Sequence, residues 1–440
     1  MKKSMCFNIF GRVLFYTAFC FFILIATGWA STQKRPEAII LLPENENAII
    51  VEKKSQTLFL YSAKKNTISM EFQVACSTGE ASGVKQISGD KKTPEGIYFL
   101  IDEYEDRYLT PVYGKKAFPT DYPNLVDKRA GKNGSAIWIH GTDKELKPMD
   151  SNGCVALEND SILRLSDLIT LDSTPVIMVE ENRMVTSDGL NQQEQEIQSM
   201  VDQWTNALKS GTYHIYLSFY SASYLPDILW WEEWAGIRKK VQEVDFDFNL
   251  ITEREGIYQH NGVFVVLFDS FFTLNNEKIY LGKRKLFLEN ENGQYKIIGD
   301  TFQTRPKIFE KTKNPLVAAA KLRVKPEIKK WTILETVNQW LAAWTAKEMD
   351  KYAAFYAENF YSDGLSKSRW VKRKRILANM YDYINIVGTD FKVKINDKTC
   401  EVVFFQDYES SGLTTQGTKT LKLVDEGGLW KIYQESWKEK

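Results

Sequence analysis

Residues 139–157 read IHGTDKELKPMDSNGCVAL, and this stretch decides how the first half of the chain is read. It holds one of the three histidines of the sequence, His140, and a cysteine, Cys154, fourteen positions later. His140 closes an apolar run, SAIWIH, of the length and patterning of a short strand. Cys154 follows Ser151, Asn152 and Gly153 in a polar, turn-forming stretch. A thiol becomes an acyl-transfer nucleophile when an imidazole takes its proton. The oxyanion that results needs N–H donors, which glycine lets the backbone present closely. Gly141 offers a bare carbonyl to hold the second ring nitrogen of His140 and set its tautomer. The stretch therefore reads as a cysteine–histidine site.

Around it, residues 37–183 alternate short apolar runs (AIILLPE, AIIVEK, TLFLYSA, SMEFQVACS, GIYFLIDEY, PVIMVEE) with Gly-, Asn-, Lys- and Pro-rich turns. That pattern predicts a mainly-β domain. One helix interrupts it at 159–169, with Asn159 or Asp160 as N-cap and Ile162, Leu165 and Ile169 on its apolar face. In the GDKKTPEG turn, Asp90 and Thr93 read as structural, because Asp and Gly suit turn geometry and Pro94 fixes φ.

The N-terminus sets the compartment. Lys2, Lys3 and Arg12 precede VLFYTAFCFFILIATGWA, and Gly28 and Ala30 are small residues at a cleavage-like position. Residues 1–30 are expected to be a signal peptide, or failing cleavage a membrane anchor, and the rest to work in the periplasm or cell envelope. Beyond that segment stand Cys76, Cys154 and Cys400, and three thiols cannot all pair. Cys76 and Cys400 lie in apolar strand-like runs, where a small buried thiol needs no function. Cys154 is the exception.

The second half repeats itself. VDQWTNALKSGTYHIYLSFYSASY from Val201 matches VNQWLAAWTAKEMDKYAAFYAENFY from Val337, an offset of 136. GKRKLFLENENGQYKI from Gly282 matches GTKTLKLVDEGGLWKI from Gly417, an offset of 135. Nearly constant offsets over separate stretches indicate a duplicated domain, 196–306 and 328–438, each opening on an amphipathic helix and closing on long strands. Polar residues 184–195 are expected to form a linker, and basic residues 307–327 a second one. Around the latter, residues 305–330 hold nine Lys or Arg against two Glu. The fold class is thus multi-domain, a mainly-β domain followed by two α+β domains.

These residues carry resemblances. IHGT with SNGCVAL is similar to the YkuD-type L,D-transpeptidase signature, and SGDKKTPEGIYFL (88–100) and VEKKSQTLFLYSA (51–63) resemble two more blocks of that family in the same order. The repeats resemble the SnoaL-like, nuclear transport factor two-like (NTF2-like) cone. The first resemblance implies an enzyme acting on peptidoglycan stem peptides of the meso-diaminopimelate type. Cys154 would attack the L-centre carbonyl and release D-alanine; His140 would serve as base and then acid, oriented by Gly141. Ser151, Asn152 and Gly153 would line the substrate and oxyanion site. The acyl group would pass to an amine, forming a cross-link, or to water, leaving a tripeptide. Members with an appended NTF2-like domain include L,D-carboxypeptidases that shape curved or helical cells. Two departures stand out. Asn152 occupies a position that is His in many members, and Ala156 one that is Arg, which removes a bidentate carboxylate clamp. A non-catalytic envelope scaffold is the reading from a different class.

Other features read plainly. The balanced charge, 57 basic against 57 acidic residues, argues against nucleic acid as partner. No Walker loop, GxGxxG or CxxC points to a cofactor or metal, and none is expected. His214 and His260 lack metal-ligand spacing, and Asp202 and Asp363 lack a partner for chemistry. Trp230, Trp231 and Trp234 suit core packing better than sugar stacking. An envelope protein or glycan is the expected kind of ligand for the repeats.

Overall fold

The computed structural model describes residues 34–65 and 67–440; the expected export segment, residues 1–30, lies outside them. No helix among the described residues is long and apolar enough to cross a membrane.

The first half is mainly β. One five-stranded sheet runs in the order Thr67–Ala75, Thr57–Lys64, Asn47–Glu52, Pro175–Val179, Gly96–Phe99. Its central pair, Asn47–Glu52 and Pro175–Val179, is parallel, with Val176 facing Ile49. Buried on both faces, these strands read as continuous apolar runs. A four-stranded sheet follows the order Val155–Ala156, Trp138–His140, Lys116–Pro119, Tyr104–Glu105. Helix Asn159–Ser166 buries Ile162 and Leu165 in a core with Ile49, Val51, Ile139, Val155 and Val176. The helix starts one residue earlier than expected on capping grounds, because Asn159 is otherwise engaged. Its side chain accepts from the Lys115 amide (2.9 Å) and donates to Asp143 (2.7 Å), and Glu158 stands at the N-cap without a side-chain bond. Ile169 falls beyond the helix end.

The boundaries between domains differ from the sequence reading in three places. The run at 38–44 does not stay with the first domain. Strand Ile39–Leu41 pairs antiparallel with Phe248–His260 and becomes the fifth strand of the first repeat's sheet. Residues 184–195 are no linker: Met184–Thr186 pairs with Lys34–Pro36, and Ser187–Ser210 is one helix. Leu190, Ile197, Val201, Trp204 and Leu208 line its buried side, so the polar residues between them are its solvent face. Nor is 307–327 an open linker. From Pro315 to Thr345 the chain is a single helix, capped by Asn314, whose side chain accepts from the amides of Leu316 and Val317 at 2.9 and 3.3 Å. Its first half buries Leu316, Val317, Ala319, Ala320 and Val324 in the first repeat, and its second half buries Ile333, Val337, Trp340 and Trp344 in the second. Lys321, Lys325 and Lys330 are on its exposed side, and Lys307, Lys311 and Lys313 precede it.

Each repeat folds helices over a four-stranded meander, with strands Phe248–His260, Val263–Leu274, Glu277–Glu291 and Gln294–Thr304 in the first and Ile384–Ile395, Thr399–Ser410, Thr414–Glu426 and Leu429–Glu439 in the second. The duplication extends to the buried polar groups. In the first copy Trp204 Nε1 donates to Tyr220 Oη (3.3 Å), Tyr220 lies 2.6 Å from Tyr216 Oη and donates to Asp300 (2.8 Å), and Arg284 grips Asp300 with two bonds of 2.8 and 2.6 Å. In the second, Trp340, Tyr356, Tyr352, Glu435 and Lys419 repeat the network, with Trp340 donating at 3.1 Å and Tyr356 reaching Glu435 at 2.7 Å.

The outer faces of the two sheets differ. In the first repeat Tyr258, Val265, Leu267, Phe287 and Ile298 form one core with Ile39, Ile50, Ile97, Phe99 and Ile177 of the mainly-β half. By the same offsets, Val265 and Phe287 correspond to Glu401 and Lys422, which are only half-buried. The first repeat is therefore fused to the β domain, and the second is joined to the body through the shared helix.

Candidate active site

His140 and Cys154 come together because their strands are neighbours. Val155–Ala156 pairs parallel with Trp138–His140, Ala156 opposite His140. Continued one residue, this register sets Cys154 opposite Trp138, so Cys154 and His140 project from the same face of the sheet. Both line a cavity of about 320 Å³ together with Ser77, Tyr113, Asp150, Ser151, Asn152 and Ala156. Thr142 and residues 144–147 also line it.

His140 is buried, 5% exposed, and its Nδ1 lies 2.6 Å from the Gly141 carbonyl. With Nδ1 donating, the lone pair is on Nε2, the tautomer a base requires. Tyr113 packs edge-on against the imidazole at 4.9 Å between ring centres; nothing in the sequence around it marked this role. Gly141 has no room for a side chain, since a Cβ there would sit 2.4 Å from Asn159 Oδ1.

The Cys154 thiol is partly exposed and 3.4 Å from the Ala136 carbonyl, and it makes no hydrogen bond to His140 among the described residues. Burial pushes its pKa above the ordinary thiol value, against the opposing pull of the Trp138 backbone and the Lys85 ammonium. Burial likewise holds His140 below the ordinary histidine value, partly countered by the Gly141 carbonyl. Both shifts favour the uncharged form of each group. Cys76 and Cys400 are also free, but they are buried and pushed up to about 12.

The turn before Cys154 is fixed from two directions. Ser151 Oγ donates to the Cys154 carbonyl (2.7 Å) and accepts from the Gly153 amide (3.1 Å). The Gly153 N–H is thus engaged, and the amides of Asn152 and Cys154 are the ones without an acceptor among the described residues. Gly153 holds φ at 117°, and a Cβ there would lie 2.7 Å from the Lys92 carbonyl. From the other side comes Thr93, fully buried, which donates to the Gly153 carbonyl (3.0 Å) and accepts from the Gly79 amide (2.8 Å). Asp90 organises the turn leading to Thr93. Despite the cost of burial, its carboxyl is held well below the usual range by Lys85 and by the amides of Gln86, Ile87 and Lys92.

The remaining candidates lie elsewhere. His214, Asp202 and Asp363 are exposed and outside the cavity. His260 stands 3.9 Å from Glu95 at the junction of the β domain and the first repeat. Trp231 and Trp234 are buried in the first repeat, and Trp230 is half-buried at its edge. Among the described residues no three His, Cys, Asp or Glu side chains gather as a metal site.

Comparison with known proteins agrees with this layout. Residues 46–178 match the model of the YkuD L,D-transpeptidase catalytic domain, and residues 332–436 match the Cds6 C-terminal NTF2-like domain. Among solved structures, the chain is similar to the helical cell shape determining protein Pgp2 from Campylobacter jejuni, with 26% identity over 60% of this chain and 96% of that one and a TM-score of 0.47. It is also similar to Bd1075 of Bdellovibrio bacteriovorus, with 20% identity over 93% and 99% of the two chains and a TM-score of 0.35. An NTF2-like protein of Pseudomonas putida covers 24% of this chain and 82% of its own, with 15% identity and a TM-score of 0.22. No match was found among curated proteins. The chain thus carries a YkuD-family L,D-transpeptidase catalytic domain at residues 46–178 and an NTF2-like domain at residues 332–436.

Proposed function

We propose that the chain is a cysteine-dependent acyltransferase of peptidoglycan, working in the cell envelope after export through residues 1–30. Cys154 Sγ attacks the L-centre carbonyl of a meso-diaminopimelate-type residue in a tetrapeptide stem while its proton moves to His140 Nε2. The amides of Asn152 and Cys154 receive the oxyanion. The C–N bond to D-alanine then breaks, and the leaving amine takes the proton from His140. An acceptor amine attacks the thioester, giving its proton to His140; the C–S bond breaks, the Cys154 thiolate takes that proton back from His140, and the new amide is the cross-link. The observation that carries this reading is that Cys154 and His140, from neighbouring strands, line one cavity within residues that match the YkuD catalytic domain.

Hydrolysis is the second reading, with water in place of the acceptor amine and a tripeptide as product. Ala156 favours it. Its methyl group lines the cavity where the resemblance implies an arginine clamp, so an acceptor stem has one less handle. Incubation of the protein with disaccharide tetrapeptide, followed by mass spectrometry, distinguishes the two. A cross-linked dimer marks transfer, a tripeptide marks hydrolysis, and Cys154→Ala abolishes both. Intact muropeptides from folded protein, together with no carbapenem adduct on Cys154, would leave the scaffold reading standing.

A further inference from the structure

The basic segment at 305–330 has no part in the chemistry above, yet the fold sets its start beside Leu229, among the most exposed apolar side chains of the described residues. Leu225 and Leu229, on the loop that leads into helix Trp231–Glu243, are 83% and 82% exposed. Leu229 and Trp230 line one cavity of about 380 Å³ with Lys313, Val317, Ala318 and Lys321 from the start of the long helix. On the same segment Ile308 is 65% and Leu322 52% exposed. Lys321 and Arg323 are tied to Glu233 and Glu277. Lys307, Lys311, Lys313 and Lys325 are exposed and have no carboxylate partner among the described residues. Asp227 and Glu233 also face the cavity, but Glu233 is neutralised by Lys321, and Asp227 accepts from the Leu229 amide (3.1 Å).

We propose that this patch docks on an anionic phospholipid surface. The lysines supply attraction to the headgroups, and Leu225, Leu229, Ile308 and Leu322 enter the boundary between headgroups and acyl chains. The apolar side chains favour a bilayer over a polyanionic glycan. A glycan rewards the lysines and gives exposed leucines nothing to enter, whereas a bilayer uses both. Neither contribution alone anchors a protein firmly, and the two together do. None of these residues lines the Cys154 cavity.

The test uses the chain from Ser31 onward, which contains every described residue without the apolar N-terminal run. Flotation is measured with vesicles of phosphatidylcholine alone and of phosphatidylcholine mixed with phosphatidylglycerol. The protein is expected to float with the mixed vesicles only, and to be released by high salt. Lys311→Gln with Lys313→Gln should weaken binding about fivefold per lysine. Leu225→Ser with Leu229→Ser should weaken it at least about tenfold while leaving the lysines in place. Both double variants should retain the wild-type carbapenem reaction at Cys154, which confirms folding. Equal flotation with neutral vesicles, no flotation with either, or binding indifferent to the leucine changes would overturn the proposal. Retention on purified sacculi that depends on the lysines but not the leucines would overturn it in favour of a glycan.

Discussion

Replacing Thr93 by valine tests whether the turn behind the nucleophile is held from below. Valine keeps the shape of threonine and removes only the hydroxyl, whose oxygen donates to the Gly153 carbonyl at 3.0 Å and accepts from the Gly79 amide at 2.8 Å. The site is completely buried, so water cannot replace either bond. Leaving a buried donor or acceptor unsatisfied costs about 1–3 kcal/mol each, and the two groups together should cost about 2–4 kcal/mol once the turn relaxes. Urea unfolding, followed by fluorescence, should show a lower midpoint with an unchanged slope for the stage in which the part of the chain containing Thr93 unfolds. Turnover should fall further than stability explains, because Gly153 sets the direction of the Cys154 amide toward the oxyanion. The loss should lie in kcat more than in KM. Thr93→Ser, which keeps the oxygen, should recover most of both. A valine variant with stability within about 0.5 kcal/mol of wild type and normal turnover would refute the argument, since an unsatisfied pair at a dry site is never that cheap.

Gly153→Ala should behave more severely, because the new methyl group meets the Lys92 carbonyl at 2.7 Å in a backbone conformation that side chains rarely adopt; we expect loss of the carbapenem adduct while the far-UV circular dichroism is kept. A base works unprotonated, and burial keeps His140 unprotonated to lower pH, so the acid limb of kcat/KM should fall below the ordinary histidine value of 6.5, and a limb above it would contradict the site geometry. Burial disfavours the Cys154 thiolate, so its alkylation by iodoacetamide should keep rising through pH 9.0 instead of levelling off near neutrality, as a preformed ion pair would. Arg284→Met strands Asp300, 9% exposed at its side chain, and should cost about 3–5 kcal/mol; denaturant unfolding of the variant measures it.

How much of this was legible in the sequence differs from element to element. The strand that ends on His140, the glycine beside it and the polar turn before Cys154 are local features, and local chemistry is what a linear reading resolves. The duplication was legible for a related reason. Trp204, Tyr216 and Tyr220 must meet Asp300 and Arg284 inside a closed core, so both copies keep these types at fixed spacing. Thr93 was read as structural, but its target sixty residues away at Gly153 depends on tertiary folding alone. The two polar stretches read as linkers failed for a physical reason. A helix packed along one side shows solvent on the other, and Gln192–Glu196 or the lysines before Trp331 register as polarity unless the spacing of Leu190, Ile197 and Val201, or of Leu316, Ala320 and Val324, is weighed against it. The departure of Ile39–Leu41 carries no local signal, since an apolar strand serves any sheet edge equally well.

That departing strand has a mechanical consequence. A load applied at the N-terminal end of the described chain reaches the sheet of the first NTF2-like copy through Ile39 and Leu41 before it reaches the sheets that bear Cys154. Together with the continuous apolar seam from Ile50 to Phe287, this ties the β domain to the first repeat, whose core extends to Val324 of the long helix. A gene fragment cut at 183 would expose that seam and lose a strand's partner. Denaturation should therefore proceed in two stages, with the C-terminal copy parting first along its connecting helix.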